Sequence, residues 1–250
     1  MMKAPIKKLF CCALLATTVA VTHSRAAVLV SYDFTGSNGI QVTTPVDATF
    51  ANVSASSISR GSSYDPGTTS VFLSDSMGVA PGQEDANTIF LSNYTLATAA
   101  ANGAYFELTI TAALGYSLSI DTINLAVRRA SNKSGPNLLG VRSSLDGYTA
   151  DLDSGVSLSG TQAVPVNQTL NFGTSLQDIT GSVTLRLYGY QRNQSSASYG
   201  IWAMSNHSVD DAFTVNGTIS PIPEPTMIHL LGLAGLGFVL LRRRRTCAVS

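Results

Sequence analysis

The stretch Ala104-Tyr-Phe-Glu-Leu-Thr-Ile-Thr111 places Phe106, Leu108 and Ile110 on one side and Tyr105, Glu107, Thr109 and Thr111 on the other. Successive side chains of a strand point to opposite faces, so this alternation predicts a strand with one face buried. Ser182-Val-Thr-Leu-Arg-Leu-Tyr188 repeats the pattern with Val183, Leu185 and Leu187 inward. Ala212-Phe-Thr-Val-Asn-Gly-Thr-Ile219 puts Phe213, Val215 and Ile219 on one side. Similar runs occur at residues 28–34, 69–74, 88–96, 138–145 and 164–172. In Tyr116–Arg128 the parity breaks: Leu118 and Ile120 are out of step with Ile123, Leu125 and Val127. That predicts a β-bulge near Asp121-Thr122, or a bend between two strands.

Turn signals separate the runs, among them Gly36-Ser-Asn-Gly39, Asp65-Pro-Gly67, Pro81-Gly82, Ser134-Gly-Pro136, Asp146-Gly147 and Asn171-Phe-Gly173. Only Leu96–Ala101 has helical character, and it is short. Many short strands with no helical layer predict an all-β chain, a single β-sandwich or jelly-roll domain over residues 27–220. The sequence holds 250 residues, of which 12% are charged, about half the usual share. Such a composition excludes a highly charged disordered chain. The 3 cysteines, Cys11, Cys12 and Cys247, all lie outside the body, which must therefore be stabilised by its core rather than by disulfides.

Both ends read as addresses. Lys3, Lys7 and Lys8 precede an uncharged run from Leu9 to Thr22 and the small-x-small site Ser24-Arg25-Ala26. This is a secretory signal peptide over residues 1–26, cut by signal peptidase between Ala26 and Ala27. Cys11 and Cys12 open the apolar run instead of following it, which argues against a lipoprotein anchor. At the other end stand Pro223-Glu224-Pro225, the apolar run Met227–Leu241 and the cluster Arg242, Arg243, Arg244 and Arg245. Fifteen helical residues span about 22 Å against a hydrocarbon core of about 30 Å, a short membrane span over residues 227–241. Arginines retained in the cytoplasm place everything upstream outside.

This ordered tripartite tail over residues 221–250 resembles the PEP-CTERM sorting signal of Gram-negative bacteria. The resemblance implies recognition by an exosortase, a transpeptidase-like membrane enzyme, with processing at or near Pro223-Glu224-Pro225. It also implies export across the inner membrane, a membrane-anchored intermediate, and delivery to the cell surface or extracellular matrix, in an exopolysaccharide or biofilm setting. The body resembles the jelly-roll sandwiches found ahead of such tails through Tyr32-Asp-Phe34, Ala126-Val-Arg-Arg129, Gly140-Val-Arg-Ser-Ser-Leu-Asp-Gly147, Leu185-Arg-Leu-Tyr-Gly189 and Phe213-Thr-Val-Asn-Gly217.

The formal net charge of zero hides a segregation. Eight of the 15 basic residues lie in the two terminal segments, leaving seven in the body against 14 acids. An acidic body excludes nucleic acid as a partner. Catalytic signatures are scarce: no H-E-x-x-H, G-x-S-x-G or phosphate-binding glycine loop is present. His207 is the body's one histidine and reads as a loop residue; Glu84-Asp85 and Glu107 are the glutamate-bearing candidates for a glycosidase pair. The expectation is a protein that is not an enzyme and needs no cofactor. Asp146, Asp151 and Asp153 are candidate ligands for a structural Ca²⁺, with Asp210-Asp211 a second cluster, against the alternative of turn aspartates. Arg186, Tyr188 and Tyr190, on the outward face of one strand, are candidate glycan contacts, against the alternative of a strip covered by a neighbouring loop, and Trp202 reads as core. The function expected is a structural or glycan-associated surface module, with exopolysaccharide as a partner. Its rivals are a secreted polysaccharide-acting hydrolase and a permanently membrane-tethered binding module.

Overall fold

A computed structural model of the protein describes residues 26–37, 39, 41–62, 75–79, 95–129, 136–158, 164–191, 202–206 and 213–222. With strands numbered in chain order, one sheet runs β3 (Ala48–Thr49), β1 (Ala27–Tyr32), β15 (Phe213–Pro221), β8 (Tyr116–Arg129), β14 (Trp202–Ser205) and β6 (Ser76–Val79). On the other edge of β8 lie β11 (Val166–Asn171) and β12 (Ile179–Thr180). The second sheet runs β10 (Asp153–Ser157), β9 (Leu138–Ser143), β13 (Ser182–Tyr190), β7 (Phe106–Ala112), β5 (Ile58–Arg60) and β2 (Thr43–Thr44), with β4 (Val53–Ala55) also on β7. Every one of these strand pairs is antiparallel. The described fold is all-β and sandwich-like, with one core drawn from both sheets.

The alternating stretches occupy the positions their pattern requires. Phe106, Leu108 and Ile110 of β7 and Val183, Leu185 and Leu187 of β13 are fully buried, as are Phe213 and Val215 of β15. Each such side chain contributes roughly 1.5–3 kcal/mol of transfer free energy, the main term opposing chain entropy where no disulfide helps. Trp202 is buried and meets Phe106 edge-on, with ring centroids 5.0 Å apart, joining the two sheets. Tyr32 adds a polar link between them, donating its hydroxyl to Ser56 O at 2.5 Å.

The parity break in β8 is a bulge within one continuous strand. Asn216 pairs with Thr122 but Gly217 pairs with Ile120, so Asp121 is the extra residue. Its carbonyl accepts a hydrogen bond from Phe172 N at 3.0 Å. The insertion lets Leu118 and Ile120 before it and Ile123, Leu125 and Val127 after it all reach the core. The same irregularity explains Gly217. A Cβ there would collide with the Ser119 carbonyl oxygen and stand 3.0 Å from Ile120 Cα.

Runs 69–74 and most of 88–96 lie outside the described residues. Leu96–Ala101 forms a short helix, α1, capped by Thr95 Oγ1 accepting from Thr98 N at 3.2 Å. Run 138–145 ends as a strand at Ser143 and continues as a 3₁₀ turn, Ser144–Asp146. Pairing of β15 continues to Pro221, one residue beyond the predicted body.

Candidate functional site

The outward face of β13 carries the predicted contact strip. Antiparallel register puts Arg186 directly between Glu107 of β7 and Arg142 of β9. Two like charges side by side are tolerable because each has its own carboxylate. Arg186 Nε donates to Glu107 Oε2 at 2.6 Å, and Arg142 Nε donates to Asp151 Oδ1 at 2.8 Å. The Arg186 guanidinium is also sandwiched between two rings, 4.2 Å from the centroid of Tyr105 and 3.7 Å from that of Tyr148. Tyr148 is brought there by the 3₁₀ turn after β9; its carbonyl accepts from Arg142 at 3.1 Å. Burial alone would lower the Arg186 pKa, but the Glu107 bond and the neighbouring tyrosines outweigh it and hold the guanidinium above its ordinary range.

One correction concerns exposure. Arg186, Tyr188 and Tyr190 do share a face, yet they form no open strip. Tyr188 is fully buried, and Arg186 and Tyr190 are half-buried. The cover is α1, which packs on this face through Leu96; Gly140 of β9, opposite Tyr188, lacks the Cβ that Leu96 would strike. Tyr188 also meets the ring of Tyr105 edge-on at 5.8 Å. Burial pushes the Tyr188 phenol up to about 12, the nearby Arg186 guanidinium offsetting part of the effect. Tyr190 turns its hydroxyl to the edge strand, accepting from Gly155 N at 2.8 Å.

Hydroxyls rather than charges fill the rest of the face. Thr109 and Thr184 lie 2.8 Å apart across β7 and β13, and Thr111 and Ser182 also lie 2.8 Å apart. Glu107 serves as the acceptor for Arg186. The arrangement offers half-exposed tyrosine edges beside a row of hydroxyls, with its charges already matched.

The candidate calcium ligands have separate roles. Asp146 closes its own turn, accepting from Ala150 N at 2.6 Å and from Thr149 Oγ1 at 3.1 Å. Burial is the largest single influence and pushes its carboxyl up, but the Ala150, Thr149 and Tyr148 donors together outweigh it and hold the carboxyl below the usual range. Asp151 pairs with Arg142, while Asp153 Oδ2 accepts from Asn171 N at 2.8 Å, tying β10 to β11. Among the described residues no three metal-ligating side chains gather. The sequence reading missed Tyr105, Tyr148 and Arg142 as members of the charged cluster. Tyr105 was visible as a polar-face neighbour of Glu107; Tyr148 had no signal beyond its turn.

Ala26 is exposed and Ala27 begins β1. Glu84, Asp85, His207, Asp210 and Asp211 lie outside the described residues, as do Pro223, Glu224, Pro225, residues 227–241 and Arg242 to Arg245. No helix among the described residues is long and apolar enough to cross a membrane. No protein-family model, no curated protein and no solved structure matches this chain.

Proposed function

We propose that the chain is an exported, non-enzymatic surface or extracellular-matrix module, a jelly-roll sandwich delivered by an exosortase-type pathway and associated with extracellular polysaccharide. The observation that carries the reading is the ordered tail: Pro223-Glu224-Pro225, then Met227–Leu241, then four arginines, paired with an amino-terminal leader. The fold supports it by its extent. Strand β1 starts at Ala27, the residue after the signal-peptidase site, and β15 ends at Pro221, two residues before Pro223. A cysteine-free body that closes one core between those points suits a domain that travels as cargo. The half-exposed Tyr105 and Tyr148 with the Thr109–Thr184 row support a sugar-facing role for the outer face, since tyrosine rings and hydroxyls suit saccharide stacking and hydrogen bonding.

Replacing Glu224 by alanine tests the sorting. The variant should accumulate in the membrane fraction while wild-type chain reaches the surface; equal release of both would remove the tail from the account. A glycan array probed with the exported chain and with Tyr148→Ala tests the sugar-facing role. Loss of signal in the variant is expected, whereas polysaccharide turnover by the wild type would favour a hydrolase.

A further inference from the structure

One end of the sandwich is built without charge, and the chain enters and leaves there. Three backbone hydrogen bonds tie its parts together: Ile222 N to Gly115 O at 2.8 Å, Ala113 N to Asn52 O at 2.9 Å, and Phe50 N to Leu29 O at 2.8 Å. The end thus gathers the turn between β7 and β8, the turn between β3 and β4, the start of β1 and the residue after β15. Segments 26–32, 48–59, 108–120, 179–185 and 213–222 contain no Asp, Glu, Lys, Arg or His. Asp178, just before β12, and Asp47, just before β3, are the charges at its margin. Of seven exposed large hydrophobics among the described residues, four are here: Val28 (47%), Phe50 (45%), Leu114 (103%) and Ile222 (40%). Single exposed apolar residues are ordinary, but a grouped set on an uncharged end marks an apolar partner.

The chain itself says which partner. Ile222 is pinned to the Gly115 turn, and the apolar run begins five residues later at Met227. Five extended residues reach at most about 17 Å, so a bilayer holding Met227–Leu241 lies within that distance of Ile222 and close to the Gly115 turn it is bonded to. We infer that this end docks on the lipid surface while the chain is anchored, inserting Leu114 and Ile222 below the headgroups, with Val28 and Phe50 at their margin. The inference rests on reading Met227–Leu241 as a membrane span. Tyr116, half-buried and paired with Pro221, is of the type that settles at headgroup level. The absence of lysine and arginine means that attraction is by apolar burial and does not need anionic lipid.

The test uses the full-length chain after export from a host lacking the sorting enzyme, purified in detergent with its remaining cysteine, Cys247, replaced by serine. Nitroxide labels at Leu114→Cys, Ile222→Cys and, as control, Val42→Cys report depth in pure zwitterionic vesicles. Val42, also exposed, precedes β2 near the Glu107 end of β7, away from the turn. Co-flotation with the vesicles reports the anchor; the ratio of oxygen to nickel-complex accessibility reports docking. Flotation with a lipid-range ratio at Leu114 and Ile222 and an aqueous one at Val42 is the expected result. Flotation with aqueous ratios at all three would overturn the docking and leave the anchor standing. Chain that fails to float would remove the anchor reading and the docking with it. Labels that are aqueous in vesicles but immobilised in native membranes would overturn lipid docking in favour of a protein contact.

Discussion

The outer face of the seven-stranded sheet and the end of the sandwich near its termini spend their residues in opposite ways. The face concentrates charge and then neutralises it: Glu107, Arg186, Arg142 and Asp151 form two ion pairs in adjacent positions, with the Arg186 guanidinium against the rings of Tyr105 and Tyr148. The end has no charge in five separate segments and leaves four apolar side chains uncovered. Charge near a strand surface fixes partners within the molecule, while its absence leaves a surface for something outside it. The difference separates two kinds of surface: the face matches its charges internally and leaves tyrosine edges and hydroxyls outward, while the end leaves apolar side chains uncovered.

The largest expected effect breaks the frame that holds both regions. Gly217→Ala forces a Cβ against the Ser119 carbonyl opposite the β8 bulge, where backbone rather than a flexible side chain must yield. A loss of roughly 3 kcal/mol in urea unfolding is expected, the upper range for overpacking. An unchanged midpoint would refute the bulge's role.

Alkali should loosen the face next. Burial raises the Tyr188 phenol from 10.0 to about 12, so the folded chain holds that proton more tightly than the unfolded one. Its stabilisation is complete below pH 10 and is lost as pH climbs from 10 through 12. Burial raises Tyr32 in the same direction. Unfolding midpoints should therefore fall above pH 10, by on the order of 2 kcal/mol for Tyr188, and Tyr188→Phe should flatten its share of that slope. A slope unaltered in the variant would count against it.

Smaller effects sharpen the contrast. A double-mutant cycle with Glu107→Gln and Arg186→Gln should give a coupling under about 1 kcal/mol, because the pair is only partly covered. Arg186→Lys should lose about 0.5–1 kcal/mol of stacking between the two rings. At the uncharged end, Leu114→Ser should leave stability within about 0.5 kcal/mol, since the fully exposed side chain covers nothing. A clear loss there would mean that the end is core, not interface.

Periodicity carried much of the fold into view. Strands β7, β13 and β15 are long enough for alternation to show, and the broken parity of β8 pointed to a bulge or bend near Asp121-Thr122, which the register resolves as a bulge at Asp121. The short strands were invisible for a physical reason: β2, β3 and β12 have two residues each, too few to display a period. Strand β14 is four residues long and buried at all of them, so it shows no alternation at all. The candidate site was legible only in part. Sequence put Arg186, Tyr188 and Tyr190 on one face, but what covers that face arrives from Leu96, Tyr105 and Tyr148, far along the chain. The charge-free end could be seen in the sequence only once register had brought its five segments together.

In the proposed reading this sandwich is cargo with removable addresses. Intact mass of the chain recovered from the cell surface tests it most directly. Material beginning at Ala27 and ending at or near Pro223-Glu224-Pro225, without Met227–Leu241 or the arginines, is the expected result. Surface material that still carries residues up to Ser250 would contradict it.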